Sequence, residues 1–351
     1  MSRIIARVLA PLLLLCLVPL LIVPGLRPLY GAVLVTVGQD ARQGQEITLL
    51  DARHRLRVRL PGTPGTDADP VWSPDGQQVA FASDYGPRVG HLYIGAPGQP
   101  ARLVAAVDGL IYRPRWSPDG DTIAFISEET GLSFVYTADP NATIPSGTSL
   151  PPPAQRHYGA AGVLAQSLQW VPGSDALLVV TTWHGGRIQP VRIPLDGSDA
   201  EPIDLPAIAA AYSPDGGWFY YATRDLYRVP VAMLGHTDAR PEQLTTDYFV
   251  QTFSISPDET LVAFTAGPGT SMLPVLRVLD LDSGTVYTLT GRDGQPVATR
   301  AFSSLEWSPD SRWIVYQVGG DLYVASLDRV RRLTVDQALF NVVTFDWRPM
   351  Q

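Results

Sequence analysis

The chain is poor in cysteine and contains no lysine. Its single cysteine, Cys16, excludes an intrachain disulfide and the usual zinc sites, which need several cysteines. All 26 basic residues are arginine, and against 34 acidic residues they leave a net charge of -8. This balance argues against a nucleic-acid-binding protein, which usually has a basic surface and a high pI. The 31 glycines and 32 prolines argue against long helices, so the composition indicates a β-rich fold.

One long apolar run lies near the N-terminus. Residues 8–26 carry no charged side chain, and that length suffices for a helix that spans a bilayer. Arg3 and Arg7 precede the run, which predicts a single-pass anchor with its N-terminus in the cytoplasm. We therefore expect residues 1–30 to form a membrane anchor or signal segment. A cleaved signal peptide and a lipoprotein acylated at Cys16 remain alternatives. All three place residues 31–351 outside the cytoplasm, in the periplasm or on the cell surface.

A short phrase recurs through the rest of the chain. It reads Trp-Ser-Pro-Asp-Gly in its two best copies, and weaker copies keep the same large apolar position. That position is occupied by Trp72, Trp116, Trp170, Tyr212, Ile255, Trp307 and Trp347. These positions are 40 to 54 residues apart, and the intervals between them contain segments with the pattern of β-strands. Both features are typical of the blades of a β-propeller. We expect the tryptophans at this position to pack between adjacent blades.

The phrase also predicts a local structure. Ser-Pro-Asp-Gly forms a type I turn, because proline presets φ at the second position and glycine ends the turn. An apolar alternating run follows each turn, for example at residues 79–81 and 123–125. The phrase therefore predicts the hairpin that joins the innermost strand of a blade to its second strand. Third and outer strands follow, which makes four strands per repeat.

Six complete repeats leave strands over at both ends of the chain. Residues 32–37, 46–50 and 55–60 have the pattern of second, third and outer strands without an inner strand, and residues 342–347 supply one. We therefore predict an all-β fold, a seven-bladed β-propeller with an N-terminal transmembrane helix. The propeller spans residues 31–351 and closes by pairing the two chain ends in one blade. A six-bladed ring is the alternative, although it would leave three strands unused.

The repeat resembles that of the TolB-like β-propeller family, a WD-repeat-like pattern. The resemblance rests on Trp-Ser-Pro-Asp-Gly followed by Ile/Val-Ala-Phe, and it covers residues 31–351. Similar repeats occur in the propellers of prolyl oligopeptidases and oligogalacturonate lyases. The resemblance implies a fold and no particular activity. The chain departs from the pattern at residues 171–175, and Glu259 and Ser311 stand where glycine is usual.

No catalytic motif accompanies the repeats. The sequence lacks a Gly-x-Ser-x-Gly elbow, a phosphate-binding glycine loop and a dinucleotide fingerprint. The oligogalacturonate lyases that the repeat resembles use propeller histidines with a metal. None of the histidines in this chain matches a family motif, and they are His54, His91, His157, His184 and His236. We therefore expect no catalytic residue, no metal ligand and no cofactor, and binding is favoured over catalysis.

The sequence predicts a membrane-tethered scaffold that binds a protein, a peptide or an envelope glycan on one face of the ring. Aromatic and arginine side chains make the strongest interface anchors. The expected face consists of Tyr85, Arg88, His91, Tyr112, Arg113, Tyr158, Trp183, His184, Arg187 and Arg224. A metal-dependent carbohydrate-active enzyme of the lyase or lactonase type, and a sensor subunit of a membrane complex, remain alternatives. Nucleic acid is not an expected partner.

Overall fold

The computed structural model describes most of the chain beyond the N-terminal apolar run. The described ranges are 32–38, 45–51, 56–85, 90–142, 154–159, 163–183, 185–267, 274–291, 294–298, 304–318, 321–326, 330–332 and 341–349. Within these ranges no helix is both long and apolar enough to cross a membrane. The anchor predicted from residues 8–26, with Cys16, lies outside them.

Strands make up almost all of the regular structure. The first eleven are β1 (Ala32–Gly38), β2 (Gln45–Asp51), β3 (Leu56–Arg59), β4 (Asp67–Trp72), β5 (Val79–Ser83), β6 (Gly90–Ala96), β7 (Gln99–Val107), β8 (Leu110–Trp116), β9 (Ile123–Glu129), β10 (Leu132–Ala138) and β11 (Gln155–Gly159). The next eight are β12 (Val163–Trp170), β13 (Ala176–Trp183), β14 (Ile188–Pro194), β15 (Glu201–Pro202), β16 (Ala209–Tyr212), β17 (Trp218–Ala222), β18 (Leu226–Pro230) and β19 (Glu242–Gln243). The last nine are β20 (Val250–Ile255), β21 (Leu261–Ala266), β22 (Val275–Asp280), β23 (Val286–Thr288), β24 (Leu305–Trp307), β25 (Ile314–Val318), β26 (Asp321–Ala325), β27 (Val330–Arg332) and β28 (Asn341–Trp347). A single turn of 3-10 helix, Val231–Met233, follows β18.

The described strands form seven four-stranded antiparallel sheets. In six of them the strands follow one another along the chain, from β4-β5-β6-β7 to β24-β25-β26-β27. The remaining sheet has the order β28-β1-β2-β3 and so contains both ends of the described chain. Val33 of β1 pairs with Trp347 of β28. The prediction of an all-β propeller is confirmed.

The three Ser-Pro-Asp-Gly copies and the three variants form tight turns. In the best copies the amide of Gly76 donates to Ser73 O at 2.8 Å, and Gly120 donates to Ser117 O at 2.9 Å. The serine hydroxyl donates to the aspartate two residues later, as Ser117 does to Asp119 at 2.5 Å. The fourth turn residue is left-handed, with φ of 63° at Gly76 and 58° at both Glu259 and Ser311. Glycine is usual there because the left-handed region costs it nothing, so the two departures carry backbone strain.

The apolar core lies between neighbouring sheets. One cluster joins Val71 and Leu92 of the first described repeat to Phe125 of the second. Another joins Ile47 of β2 to Trp72 and Phe81, so the sheet of the chain ends packs against the first repeat. A single sheet is apolar on both faces and is stable only between two neighbours. This mode of packing gives the ring its rigidity.

Candidate functional site

The two ends of the ring carry different connections. Neighbouring strands run antiparallel, so each inner strand begins at the end where the second strand stops and the third begins. We call this end the loop face. The other end, which carries the Ser-Pro-Asp-Gly turns, is the turn face.

Several of the residues predicted for the binding face do lie on the loop face. Tyr85 follows β5 and is 49% exposed. Arg187 precedes β14 and forms a 3.2 Å ion pair with Asp204. Trp183 ends β13 and is half-buried. Arg224 lies in the connection between β17 and β18 and forms an ion pair with Asp247. Its guanidinium carbon lies 4.4 Å from the centroid of the Phe249 ring. Arg88 and His184 lie outside the described residues.

Other members of the predicted face are not available there. His91 is fully buried in β6, so its ring does not reach the surface. Tyr112 and Tyr158 are half-buried and pack on the core between the second and third repeats. The Tyr112 hydroxyl lies 3.2 Å from Ser133 Oγ, and burial raises its pKa. Side-chain alternation within the strands sends these groups into the blade interfaces, which a sequence without register does not reveal.

Apart from Tyr85, the exposed apolar side chains of the loop face were missed by the sequence reasoning. Among the described residues, the exposed large apolar side chains are Tyr85, Leu110, Leu164, Phe249 and Tyr287. Leu110 and Leu164 stand at the beginning of inner strands, and Phe249 immediately precedes another. Four of the five therefore lie on the loop face, and only Tyr287 lies on an outer strand.

A channel runs through the middle of the ring. Residues from the inner strands of all seven sheets line a single cavity of about 730 Å³. Its wall includes the prolines of several turns, for example Pro74, Pro118 and Pro214, so the cavity opens toward the turn face. A volume of this size accommodates a small molecule.

One repeat position supplies five polar side chains of the wall. It immediately precedes the large apolar residue of the phrase, and its occupants are Val71, Arg115, Gln169, Ala211, Ser254, Glu306 and Asp346. All seven line the channel. The sequence could have revealed this lining, because equivalent positions of a repeated strand face the same part of the structure in every blade. Among the described residues that were predicted for the binding face, only Arg113 lines this cavity.

Two carboxyl groups meet in the channel. Glu306 and Asp346 come from neighbouring sheets, and Asp346 Oδ2 accepts a 2.6 Å hydrogen bond from the backbone amide of Trp72. Burial raises the pKa of Glu306, and the negative charge of Asp346 raises it further. Burial also raises the pKa of Asp346, although the Trp72 amide and Arg115 act in the opposite direction. The pair therefore resists carrying two negative charges.

Two arginines of β8 also line the cavity. Burial lowers the pKa of Arg113, and the neighbouring charge of Arg115 lowers it further. The Arg113 amide donates to Asp69 Oδ2 at 2.9 Å. Asp69 and Arg113 occupy equivalent positions in adjacent repeats, and both are left-handed, with φ of 49° and 53°. This strain lies beside breaks in strand register, where inner strands bulge toward the channel.

The histidines do not form a metal centre in the part of the chain described. No group of three or more His, Cys, Asp or Glu side chains is arranged there to hold a metal ion. His157 was expected in an insertion, but it lies in β11, and its Nε2 is 2.7 Å from Thr137 Oγ1. His54, like His184, lies outside the described residues.

Comparison with known proteins identifies the fold. No protein-family model matches the sequence, and no curated protein matches it. Among solved structures, TolB from Acinetobacter baumannii superposes with a TM-score of 0.55 at 18% identity, over 91% of this chain and 82% of that one. The periplasmic gluconolactonase of Pseudomonas aeruginosa gives 0.56 at 13% identity, over 91% and 99%. A prolyl endopeptidase structure gives 0.58 at 14% identity, over 92% of this chain and 51% of that one. The chain therefore has a TolB-like β-propeller fold.

Proposed function

We propose that this chain is an extracytoplasmic β-propeller that binds a protein or peptide partner through its loop face. The observation that carries the proposal is the gathering of exposed apolar side chains at that one end of the ring. They are Tyr85, Leu110, Leu164 and Phe249. Exposed apolar groups that share a face mark interaction sites, and aromatic and arginine side chains supply most of the binding energy at interfaces.

The arginines of the loop face are suited to this role. Arg224 lies over the Phe249 ring and pairs with Asp247, so its guanidinium is held in place before a partner arrives. Side chains that are already ordered lose less entropy on binding. Arg187 is held more loosely, in an exposed pair with Asp204. Exposed pairs contribute little to stability, so a partner's carboxylate can replace Asp204 at small cost.

A rigid scaffold requires a closed ring, and we include closure at seven blades in the proposal. The sheet of the chain ends is held to its neighbours on both sides. Trp347 Nε1 donates to Glu306 O at 3.4 Å on one side, and Asp346 accepts from the Trp72 amide on the other. These bonds support a ring in which this sheet acts as the closing blade.

The location and the anchor rest on the sequence. Arg3 and Arg7 precede the apolar run, which supports a single-pass anchor and a propeller outside the cytoplasm. A cleaved signal segment would give the same compartment. The compartment also determines the class of partner, because only proteins, peptides and glycans of the envelope would meet the loop face.

Cross-linking of the full chain in intact cells tests the proposal. The double variant Tyr85→Ala, Phe249→Ala removes two aromatic anchors from the loop face, and we expect it to reduce partner capture by about tenfold. Tyr287→Ala is the matched control, since Tyr287 is a similarly exposed aromatic residue on an outer strand. Equal capture by all three proteins would contradict a loop-face site. Capture of material that resists protease but not glycosidase would identify a glycan as the partner.

A lactonase-type enzyme is the second candidate, and the acidic pair of the channel favours it. Glu306 and Asp346 lie together near Arg115, and burial holds the pKa of Glu306 above its usual range, as a general acid at neutral pH requires. The fold is also that of a gluconolactonase. Hydrolysis of gluconolactone by the purified chain that is lost in Glu306→Gln, with partner capture intact, would favour this candidate.

A further inference from the structure

The channel presents several hydrogen-bonding groups that make few hydrogen bonds to the described part of the chain. The Arg115 guanidinium donates one bond, to Pro114 O at 2.9 Å, and has no ion pair within the described residues. The side chains of Gln169 and Glu306 make no hydrogen bond to the described part of the chain. All three are half-buried and line the same cavity. Half-buried polar groups without protein partners are arranged for a ligand or for water.

These groups share a geometry. A guanidinium, an amide and a carboxyl are planar, and each offers two or more atoms for hydrogen bonding in one plane. The guanidinium only donates, whereas the amide and a protonated carboxyl each donate and accept. Vicinal hydroxyl groups, which donate and accept together, are matched by this combination.

The rest of the wall is partly apolar. Half-buried aromatic residues from four consecutive inner strands pack against the blade cores and also border the channel, and they are Trp116, Trp170, Tyr212 and Phe253. Aromatic rings offer apolar contact area of defined shape. The C–H groups of a sugar ring can pack on such a surface while its hydroxyl groups reach the polar wall.

The charges of the channel balance. The charge of Asp69, which lies beside the lining residues and not among them, acts on Arg113, and Asp346 is near Arg115. Burial favours the neutral form of Glu306. A polyanion such as a nucleotide would find no net positive charge there, and a cation would meet two guanidinium groups.

From this arrangement we propose that the central channel binds a neutral saccharide through the mouth that opens on the turn face. The cavity of about 730 Å³ suits a mono- or disaccharide. Arg115, Gln169 and Glu306 bind the hydroxyl groups, and the aromatic wall packs against the ring. The site lies at the opposite end of the ring from the proposed partner surface, so the two proposals can fail independently.

Saturation-transfer NMR on the purified full chain, in a detergent without a sugar headgroup, tests the proposal. The probes are glucose, galactose, N-acetylglucosamine and maltose, with glucuronate as the anionic comparison. We expect saturable binding of at least one neutral sugar. The sugar should be recovered chemically unchanged. Arg115→Met and Gln169→Leu should each weaken it by about tenfold, the effect of losing a charge-assisted or half-buried hydrogen bond.

The matched controls are Gln77→Leu and Arg240→Met, because both side chains are exposed and neither lines the channel. Thermal unfolding of each variant checks that the ring is intact. Failure of every neutral sugar to bind the folded wild-type chain would overturn the proposal. So would binding that survives in the folded double variant of Arg115 and Gln169, or tighter binding of glucuronate than of glucose.

Discussion

The indole Nε1 of Trp170 donates a 2.9 Å hydrogen bond to the backbone carbonyl of Arg115, which belongs to the preceding repeat. The same bond joins Trp116 to Val71 and Trp307 to Ser254, at 3.3 and 2.9 Å. In these three repeats the tryptophan of the phrase therefore connects neighbouring inner strands, and its backbone acceptor carries a channel-lining side chain. The expectation that these tryptophans pack between blades is confirmed.

Trp170→Phe should lower the free energy of unfolding by about 1 kcal/mol, because it removes one half-buried hydrogen bond while keeping an aromatic side chain at this position. Chemical denaturation measures the change. Tyr212→Phe is the control, since Tyr212 occupies the same repeat position without an indole bond, and it should be nearly neutral. Similar losses in both variants would contradict a specific role for the bond.

Deletion of residues 341–351 should abolish the cooperative unfolding transition. It removes β28, leaves β1 paired only with β2, and eliminates the bonds from Trp347 to Glu306 O and from the Trp72 amide to Asp346. The exposed sheet edges should also promote association. Calorimetry and light scattering measure both effects. Removal of residues 350–351 alone is the control, and a deletion that melts like the parent would show that the ring does not need this strand.

Glu306→Gln should stabilise the protein progressively as the pH rises through the neutral range. Burial and Asp346 raise the pKa of Glu306 in the folded protein. Its favourable contribution is therefore complete below the pKa of the unfolded chain and is lost as the pH rises through the folded value. Glutamine keeps the shape of the protonated acid and never ionises. Melting temperatures between pH 5 and 9 should diverge from those of the wild type.

Glu128→Gln is the control for this experiment, because the Glu128 side chain is exposed at the end of β9. Its melting profile should run parallel to that of the wild type. Parallel profiles for Glu306→Gln as well would mean that Glu306 is ionised without cost, and the acidic pair would lose its place in the second candidate function.

Asp119→Asn should destabilise the protein at neutral pH and have little effect in acid. Hydrogen bonds from the Ser117 hydroxyl and the Asp121 amide lower the pKa of Asp119. A lowered pKa means stability that is present above the unfolded value and lost as the pH falls through the folded one. Urea unfolding at pH 7 and at pH 2.5 compares the two states. A difference that persists unchanged at pH 2.5 would assign the effect to geometry rather than charge.

Much of the fold could be predicted because the phrase combines turn chemistry with a periodic position. Ser117 and Asp119 form the turn from local bonds alone, and Trp170 marks the blade interface wherever the turn occurs. The binding face was harder, because exposure depends on strand register. His91 and Tyr85 are six residues apart on one loop and strand, yet one is fully buried and the other is 49% exposed.

The channel was missed for a different reason. Arg115, Glu306 and Asp346 are far apart in the chain, and each alone has the appearance of an ordinary surface charge next to a tryptophan. Only the closed arrangement of sheets brings them to one cavity. The equivalence of their repeat positions could have indicated this, and comparing the residues before each large apolar position would have been sufficient.

The pairing of β1 with β28 also fixes where the chain enters the ring. Val33 lies opposite Trp347, the last residue of an inner strand, so Ala32 stands at the turn face. An N-terminal segment held in a bilayer would then draw the turn face and the channel mouth toward the lipid headgroups. Tyr85 and Phe249 would point away from the membrane, toward whatever passes through the surrounding compartment.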